Sequence, residues 1–263
     1  MTESLHLYLN SSSFQLRRRS GWPWKRSIAT VESANWHAHD PSTLQLALPD
    51  GMRRGAALHV VLGASLCKFL VVEVPTEVVD PAERAVVAMA RMRQQFALAP
   101  EEWDCSADAR MGSGQATACA VRSALIRRLR ELAAAHGLKL ASIRPYAGVL
   151  WDAVRAQSAD EAETGLLAIE EDAFTVITAR GGRVVGLHAL QHHGVAGLAE
   201  RELRRIGLSA GPTMRDAMWL AMPAHHLVGA EVAAGRLLRR AEARSGDITA
   251  DFRDLLIAAE VAS

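Results

Sequence analysis

Two patterns of short apolar strands joined by tight turns, one in each half of the chain, most constrain its fold. The first spans residues 7–16, where alternating apolar residues flank the turn Ser11-Ser12-Ser13. The second spans residues 165–190 and has Gly181-Gly182 between β-branched runs, which is a strong hairpin signal. The halves are therefore weak repeats of one plan, and the polar stretch at residues 152–163 is the predicted boundary between them.

Length and composition favour an ordinary globular protein. A chain of 263 residues is long enough for about two units. Hydrophobic residues make up 49% and charged residues 22%, which excludes intrinsic disorder. The net charge of +1 argues against a dedicated nucleic-acid binder. The start MTESLHLYLN predicts no secretory signal, and no run of about 18 apolar residues predicts a membrane span. We expect a cytoplasmic protein that reaches the membrane only through a partner.

Candidate metal and catalytic residues are sparse. Cys67, Cys105 and Cys119 lack CxxC spacing and predict reduced, buried thiols. His37 and His39 could bind a metal from one strand, but no third ligand lies nearby, so a surface loop is predicted. The remaining candidates are two tandem histidine pairs, which we expect on a loop surface or at the lobe interface, and an acidic run, which we expect to be a solvated turn. They are His192-His193, His225-His226 and Glu170-Glu171-Asp172. None fits a nucleophile elbow, a zinc helix or a Walker loop, so no catalytic residue is predicted.

The middle of the chain predicts alternating strands and capped helices. Residues 57–62 and 67–74 are apolar runs around Gly63-Ala64-Ser65 and predict a hairpin. Asp80 and Pro81 then predict the start of a helix. On that helix Met89, Met92 and Phe96 share a face, which predicts core packing or, if exposed, partner binding. Further predicted elements are strands at 115–121 and 138–143, a helix that Ser123 caps and Gly137 ends, and helices near 199–206, 228–243 and 250–260.

A basic and aromatic cluster from Arg17 to Arg26 includes Trp22 and Trp24. Arginine with tryptophan can bind nucleic acid or anionic lipid. We interpret the cluster as a solvated hairpin end, and a nucleic-acid-binding module remains the alternative.

The order of elements resembles the actin-like assembly proteins of bacterial type IV pili and type II secretion machines, PilM and the cytoplasmic domain of the secretion L protein. This resemblance implies an α/β fold of the actin-like ATPase superfamily. Its two ribonuclease H-like lobes of mixed sheet and helices would comprise residues 1–151 and 165–263.

The resemblance places a degenerate phosphate hairpin at Ser11, Ser12 and Ser13. Successive N–H groups in such a turn can form an anion-binding nest. However, Tyr8 stands where nucleotide-binding members have the aspartate that holds hydrated Mg²⁺, and Asn10 stands where they have glycine. The second phosphate hairpin would be at residues 169–175, whose carboxylates would repel a triphosphate. Nucleotide binding is therefore predicted to be weaker than millimolar, which is under about 4 kcal/mol.

The implied function is a catalytically silent cytoplasmic scaffold of a type IV pilus or type II secretion-like inner-membrane platform. It would recruit a membrane-anchored partner, with Met89, Met92 and Phe96 as candidate anchors if exposed. A second copy of the chain, forming a homodimer, is a further candidate partner. No cofactor is expected. The alternative is an actin-superfamily protein that binds ATP and Mg²⁺, or a sugar-type kinase.

Overall fold

The structure, a computed structural model, describes residues 3–22, 25–33, 36–48, 51–108, 114–157, 163–170, 172–191 and 218–221. In this part of the chain twelve strands form three sheets, and three α-helices accompany them. The helices are α1 (Pro81–Phe96), α2 (Ser123–Ala135) and α3 (Tyr146–Gln157). The strands are β1 (Ser4–Leu9), β2 (Phe14–Trp22), β3 (Lys25–Ser33), β4 (Ala57–Leu62), β5 (Cys67–Glu73), β6 (Trp103–Asp108), β7 (Gln115–Arg122), β8 (Lys139–Pro145), β9 (Glu163–Ile169), β10 (Ala173–Arg180), β11 (Arg183–Gln191) and β12 (Met218–Ala221).

The first sheet has five strands in the order β3-β2-β1-β4-β8. β1, β2 and β3 form an antiparallel meander. β4 pairs in parallel with β1, and β8 pairs in parallel with β4. Because β1 is the central strand, Leu5, Leu7 and Leu9 are fully buried. The predicted hairpin at residues 7–16 is confirmed, since Leu9 lies opposite Phe14.

The second sheet repeats this plan in the order β11-β10-β9-β12. β9, β10 and β11 form an antiparallel meander, and β12 pairs in parallel with β9. Gly181 and Gly182 have positive φ angles of 55° and 72°, as the predicted hairpin turn requires. Leu166 and Ile177 belong to the same apolar core as the leucines of β1. The two sheets therefore share one continuous core.

The third sheet has three antiparallel strands in the order β5-β7-β6, and α1 packs on one of its faces. The prediction that residues 57–62 and 67–74 pair as a hairpin is wrong. β4 is flanked by β1 and β8, so it has no free edge for β5. A 3₁₀ turn at Ala64–Leu66 leads the chain into the separate sheet instead.

The helices begin and end close to the predicted residues. The Asp80 side chain accepts a hydrogen bond from the Glu83 N–H at 3.1 Å, which caps α1, and Pro81 is its first residue. Leu125 and Leu129 on α2 are buried. Ser123 is the first residue of α2, but it does not cap the helix as predicted, because the N-cap residue is Arg122. Gly137, with φ +65°, follows the helix as predicted.

The division into lobes at residues 1–151 and 165–263 stays a prediction, because the described part of the second half consists mainly of residues 163–191. α3 continues past residue 151 to Gln157. The three predicted helices beyond residue 198 lie outside the described residues. Among the helices that the structure describes, none is both long and apolar enough to cross a membrane.

Candidate functional site

The turns of the two repeated hairpins contact each other directly. One turn joins β1 to β2, and the other joins β9 to β10. The hydroxyl of Tyr8, at the end of β1, donates a 2.6 Å hydrogen bond to Oε2 of Glu170. The backbone N–H of Ser11 donates to Oδ2 of Asp172 at 2.9 Å. The site is therefore built from residues more than 160 positions apart in the sequence.

The first turn has its N–H groups paired with side-chain oxygens of this chain. The side-chain oxygen of the buried Asn10 accepts hydrogen bonds from the N–H groups of Ser12 at 3.0 Å and Ser13 at 2.6 Å. This is the local pairing that Asn makes in turns. Asp172 accepts the third N–H, that of Ser11. The predicted anion-binding nest is thus already paired to an aspartate and an asparagine.

Glu170 is a buried carboxyl group, only 1% exposed. Its Oε1 accepts a hydrogen bond from the backbone N–H of Ala64 at 3.0 Å. Burial raises the pKa of Glu170 to about 8, although the hydrogen bonds from Tyr8 and Ala64 oppose this rise. Burial, followed by the nearby Glu170, holds the pKa of Tyr8 well above its usual value. The Tyr8 hydroxyl therefore keeps its proton and acts as a donor.

Gly63 makes room for Glu170. A Cβ atom at this position would lie 2.7 Å from Oε2 of Glu170 and 3.1 Å from the carbonyl oxygen of Leu9. The N–H of Gly63 also donates to that carbonyl at 2.6 Å. The turn after β4 is thus held against both the end of β1 and the buried carboxyl group.

These residues do not fit the ATP and Mg²⁺ that the fold suggests. Mg²⁺ sites are built from carboxylates, waters and phosphate oxygens. At the expected carboxylate position stands Tyr8, a protonated donor that is bonded to Glu170. At the expected phosphate nest the N–H of Ser11 is paired with the carboxylate of Asp172. A triphosphate would have to displace Asp172 and lie beside both acidic side chains.

The prediction that the acidic run at residues 170–172 is a solvated turn is wrong for Glu170. Packing between the two sheets buries this side chain, and Tyr8 supplies its partner. Glu171 lies outside the described residues. One feature of the sequence could have predicted this contact. Tyr8, a hydrogen-bond donor, stands at the expected carboxylate position of the first hairpin, and Glu170, a carboxyl group, lies in the turn of the second.

The candidate partner anchors on α1 are not equally accessible. Met92 is completely buried with Ala88 against the third sheet, so it cannot be an exposed anchor. Met89 is half-buried. Phe96 is 37% exposed, and the Lys68 amino group lies 5.2 Å from the centre of its ring.

The other candidates do not form a site among the described residues. His37 and His39 are exposed and stack at 5.5 Å. The three cysteines are free. No group of three or more His, Cys, Asp or Glu side chains in the described ranges is placed to hold a metal. In the basic cluster, Arg18 pairs with Glu3 at 2.6 Å. Both tandem histidine pairs lie outside the described residues.

A cleft of about 770 Å³ lies between α3, the third sheet and the β10–β11 hairpin. Its floor is the face of the third sheet opposite α1 and includes Phe69 and Thr117. Trp151 on α3 and Leu187 on β11 supply apolar walls. Arg144, Arg155, Arg183, Asp108 and Asp152 also line it.

The chain is similar in structure to proteins of actin-like fold. One is a Bacteroides thetaiotaomicron protein with an actin-like ATPase fold and unknown function, at TM-score 0.58 and 8% identity over 92% of this chain and 89% of that chain. Another is a chain of the PilM–PilN type IV pilus biogenesis complex, at TM-score 0.61 and 15% identity over 98% of this chain and 95% of that one.

The cytoplasmic domain of EpsL, an inner-membrane component of the Vibrio cholerae type II secretion system, has TM-score 0.49 and 15% identity over 84% of this chain and 83% of that domain. No family model matches the chain, and no curated protein matches its sequence. The predicted actin-like fold is confirmed by the likeness to the first two structures.

Proposed function

We propose that this chain is a catalytically silent scaffold of an assembly platform of the pilus or secretion type. In this role it holds a segment of a membrane-anchored partner at the cytoplasmic side of the inner membrane. No nucleotide is bound or hydrolysed in the proposed function.

The observation that carries the proposal is the contact between the two hairpin turns. Tyr8 contacts Glu170, and Ser11 contacts Asp172. In this proposal these side chains stand where two phosphate hairpins would face a nucleotide. The carboxyl group of Glu170 accepts a hydrogen bond from the backbone N–H of Ala64, and that of Asp172 accepts one from the N–H of Ser11. Displacing Glu170 would leave a fully buried carboxyl group without its partners, which costs about 1–3 kcal/mol.

The similarity to a chain of the PilM–PilN complex supports the choice of an assembly role over other roles of the actin-like fold. We place the partner segment in the cleft between α3 and the third sheet. The cleft has a volume of about 770 Å³, and the apolar walls at Trp151 and Leu187 can hold an anchor side chain.

The proposal is tested by affinity purification from a detergent extract of the source bacterium's membranes. We expect an inner-membrane protein to co-purify with the wild-type chain. Thr117→Arg, which places a long side chain on the cleft floor, should abolish this co-purification. Val185→Arg is the matched control, since Val185 lies on the neighbouring hairpin, is 41% exposed and does not line the cleft.

Equal recovery of the membrane protein by wild-type and Thr117→Arg chains would show that the cleft is not the binding site. If no inner-membrane protein is recovered with the wild-type chain, the scaffold proposal fails. Circular dichroism melts of both variants check that each one folds.

A further inference from the structure

The ionisable side chains that line the cleft include more arginines than aspartates. On the wall formed by β8 and α3, Asp152 contacts Arg144, and its other oxygen lies 3.8 Å from Nη2 of Arg155. The single carboxylate of Asp152 therefore lies beside two guanidinium groups. A single carboxylate cannot neutralise both, so this wall retains positive charge.

Arg183 stands on the opposite wall, at the start of β11. Its side chain is exposed and forms no ion pair with any residue in the described part of the chain. Three arginines thus face the cleft against two aspartates. Apolar surface from Trp151 and Leu187 lies in the same cleft.

We propose, building on the proposed function, that the partner segment held in this cleft is acidic. One of its Asp or Glu side chains pairs with Arg183, and a neighbouring apolar side chain packs against Trp151 and Leu187. A guanidinium group presents a fork of N–H donors that matches the two oxygens of a carboxylate. Charge complementarity of this kind selects partners and accelerates their association.

The test uses a random-sequence peptide library displayed on phage and selected on the immobilised full-length chain. We expect the wild-type chain to enrich peptides in which Asp or Glu lies close to a large apolar residue. Synthetic copies of these peptides should bind Arg183→Glu about five- to tenfold more weakly than the wild type, because attraction is replaced by repulsion. Their binding to the wild type should also weaken as salt is added.

Arg91→Glu is the matched control, since it makes the same charge change on an exposed position of α1 away from the cleft. Its affinity for the peptides should equal that of the wild type. Arg183 is exposed beside the Gly181-Gly182 turn, so its replacement should not unfold the chain.

The results separate this inference from the proposal on which it rests. If the enriched peptides lose binding to Thr117→Arg but are neutral or basic, the cleft holds a segment and the acidic assignment is wrong. Unchanged affinity for Arg183→Glu would also overturn the assignment. If no peptide binds the wild type better than Thr117→Arg, both the acidic assignment and the cleft as the partner site are wrong.

Discussion

At the scale of single residues, Tyr8 and Glu170 are chemically matched. A carboxylate at position 8 would stand beside the carboxyl group of Glu170, and whenever both groups were ionised the two like charges about 4 Å apart would cost roughly 4 kcal/mol at an effective dielectric of 20. A phenol instead supplies a neutral donor, and the observed hydrogen bond is 2.6 Å long. Tyr8, which stands at the expected position of a Mg²⁺-binding carboxylate, therefore allows Glu170 to be buried.

Burial of Glu170 should make the stability of the chain depend on pH. Its pKa is about 8 in the folded state against an ordinary 4.5, so the folded state holds this proton more tightly. As the pH rises from 4.5 to 8, the unfolded state loses the proton first, and the free energy of unfolding falls by up to about 1.4 kcal/mol per pH unit. We expect Glu170→Gln, measured by urea unfolding across this range, to lack that decline.

Glu101→Gln is the control for this measurement, because Glu101 is exposed and lies just before β6 of the third sheet. It should keep the wild-type pH dependence. The window between the unfolded and folded pKa values runs from about pH 5 to about pH 8. If the free energy of unfolding of Glu170→Gln falls as steeply as that of the wild type in this window, Glu170 is not the buried titrating group.

Gly63→Ala should destabilise the chain by about 1–3 kcal/mol. The added methyl group would lie 2.7 Å from Oε2 of Glu170, so the carboxyl group or the turn has to move. In urea unfolding at pH 6, the double variant Gly63→Ala/Glu170→Ala should cost less than the sum of the two single variants, because removing the carboxyl group relieves the main clash. Strict additivity would mean that the two sites do not touch.

At the scale of secondary-structure elements, the sequence correctly predicted helix ends and turns, because these features depend on residues close together in the chain. The Asp80 cap, the Gly137 stop and the Gly181-Gly182 turn lie where the sequence placed them, since each depends on neighbouring residues. The prediction that β4 pairs with β5 was wrong because strand pairing depends on the whole sheet, and β1 and β8 occupy both edges of β4. The prediction that Glu170 is solvated was wrong for a similar reason, because its side chain is buried against Tyr8, which lies 162 positions away in the sequence.

Helix α1 offers a test of which of its faces is core. Met92→Asp should lower the free energy of unfolding by more than about 3 kcal/mol, because it places a carboxylate at a fully buried position. Val86→Asp on the same helix should change it by less than about 0.5 kcal/mol, since Val86 is 61% exposed. Thermal melts followed by circular dichroism give both values. A Met92→Asp melt like that of the wild type would show that α1 is not packed on the third sheet.

At the scale of the whole molecule, the repeated sheet plan brings the two hairpin turns face to face. In this chain side chains connect the turns, and the two sheets behind them share one core. The sequence predicted the repeated plan, which is confirmed, whereas the loss of a Mg²⁺ ligand stays a prediction. It did not reveal that Tyr8, Glu170 and Asp172 meet, because that contact exists only once both halves are folded together.

The central claim is that the chain's own side chains occupy the nucleotide position, and titration calorimetry with ATP and Mg²⁺ tests it most directly. We expect the wild-type chain to bind more weakly than millimolar, which is under about 4 kcal/mol of binding free energy, because Asp172 holds the Ser11 N–H and Tyr8 holds Glu170. A micromolar dissociation constant, which is about 8 kcal/mol, would contradict the claim.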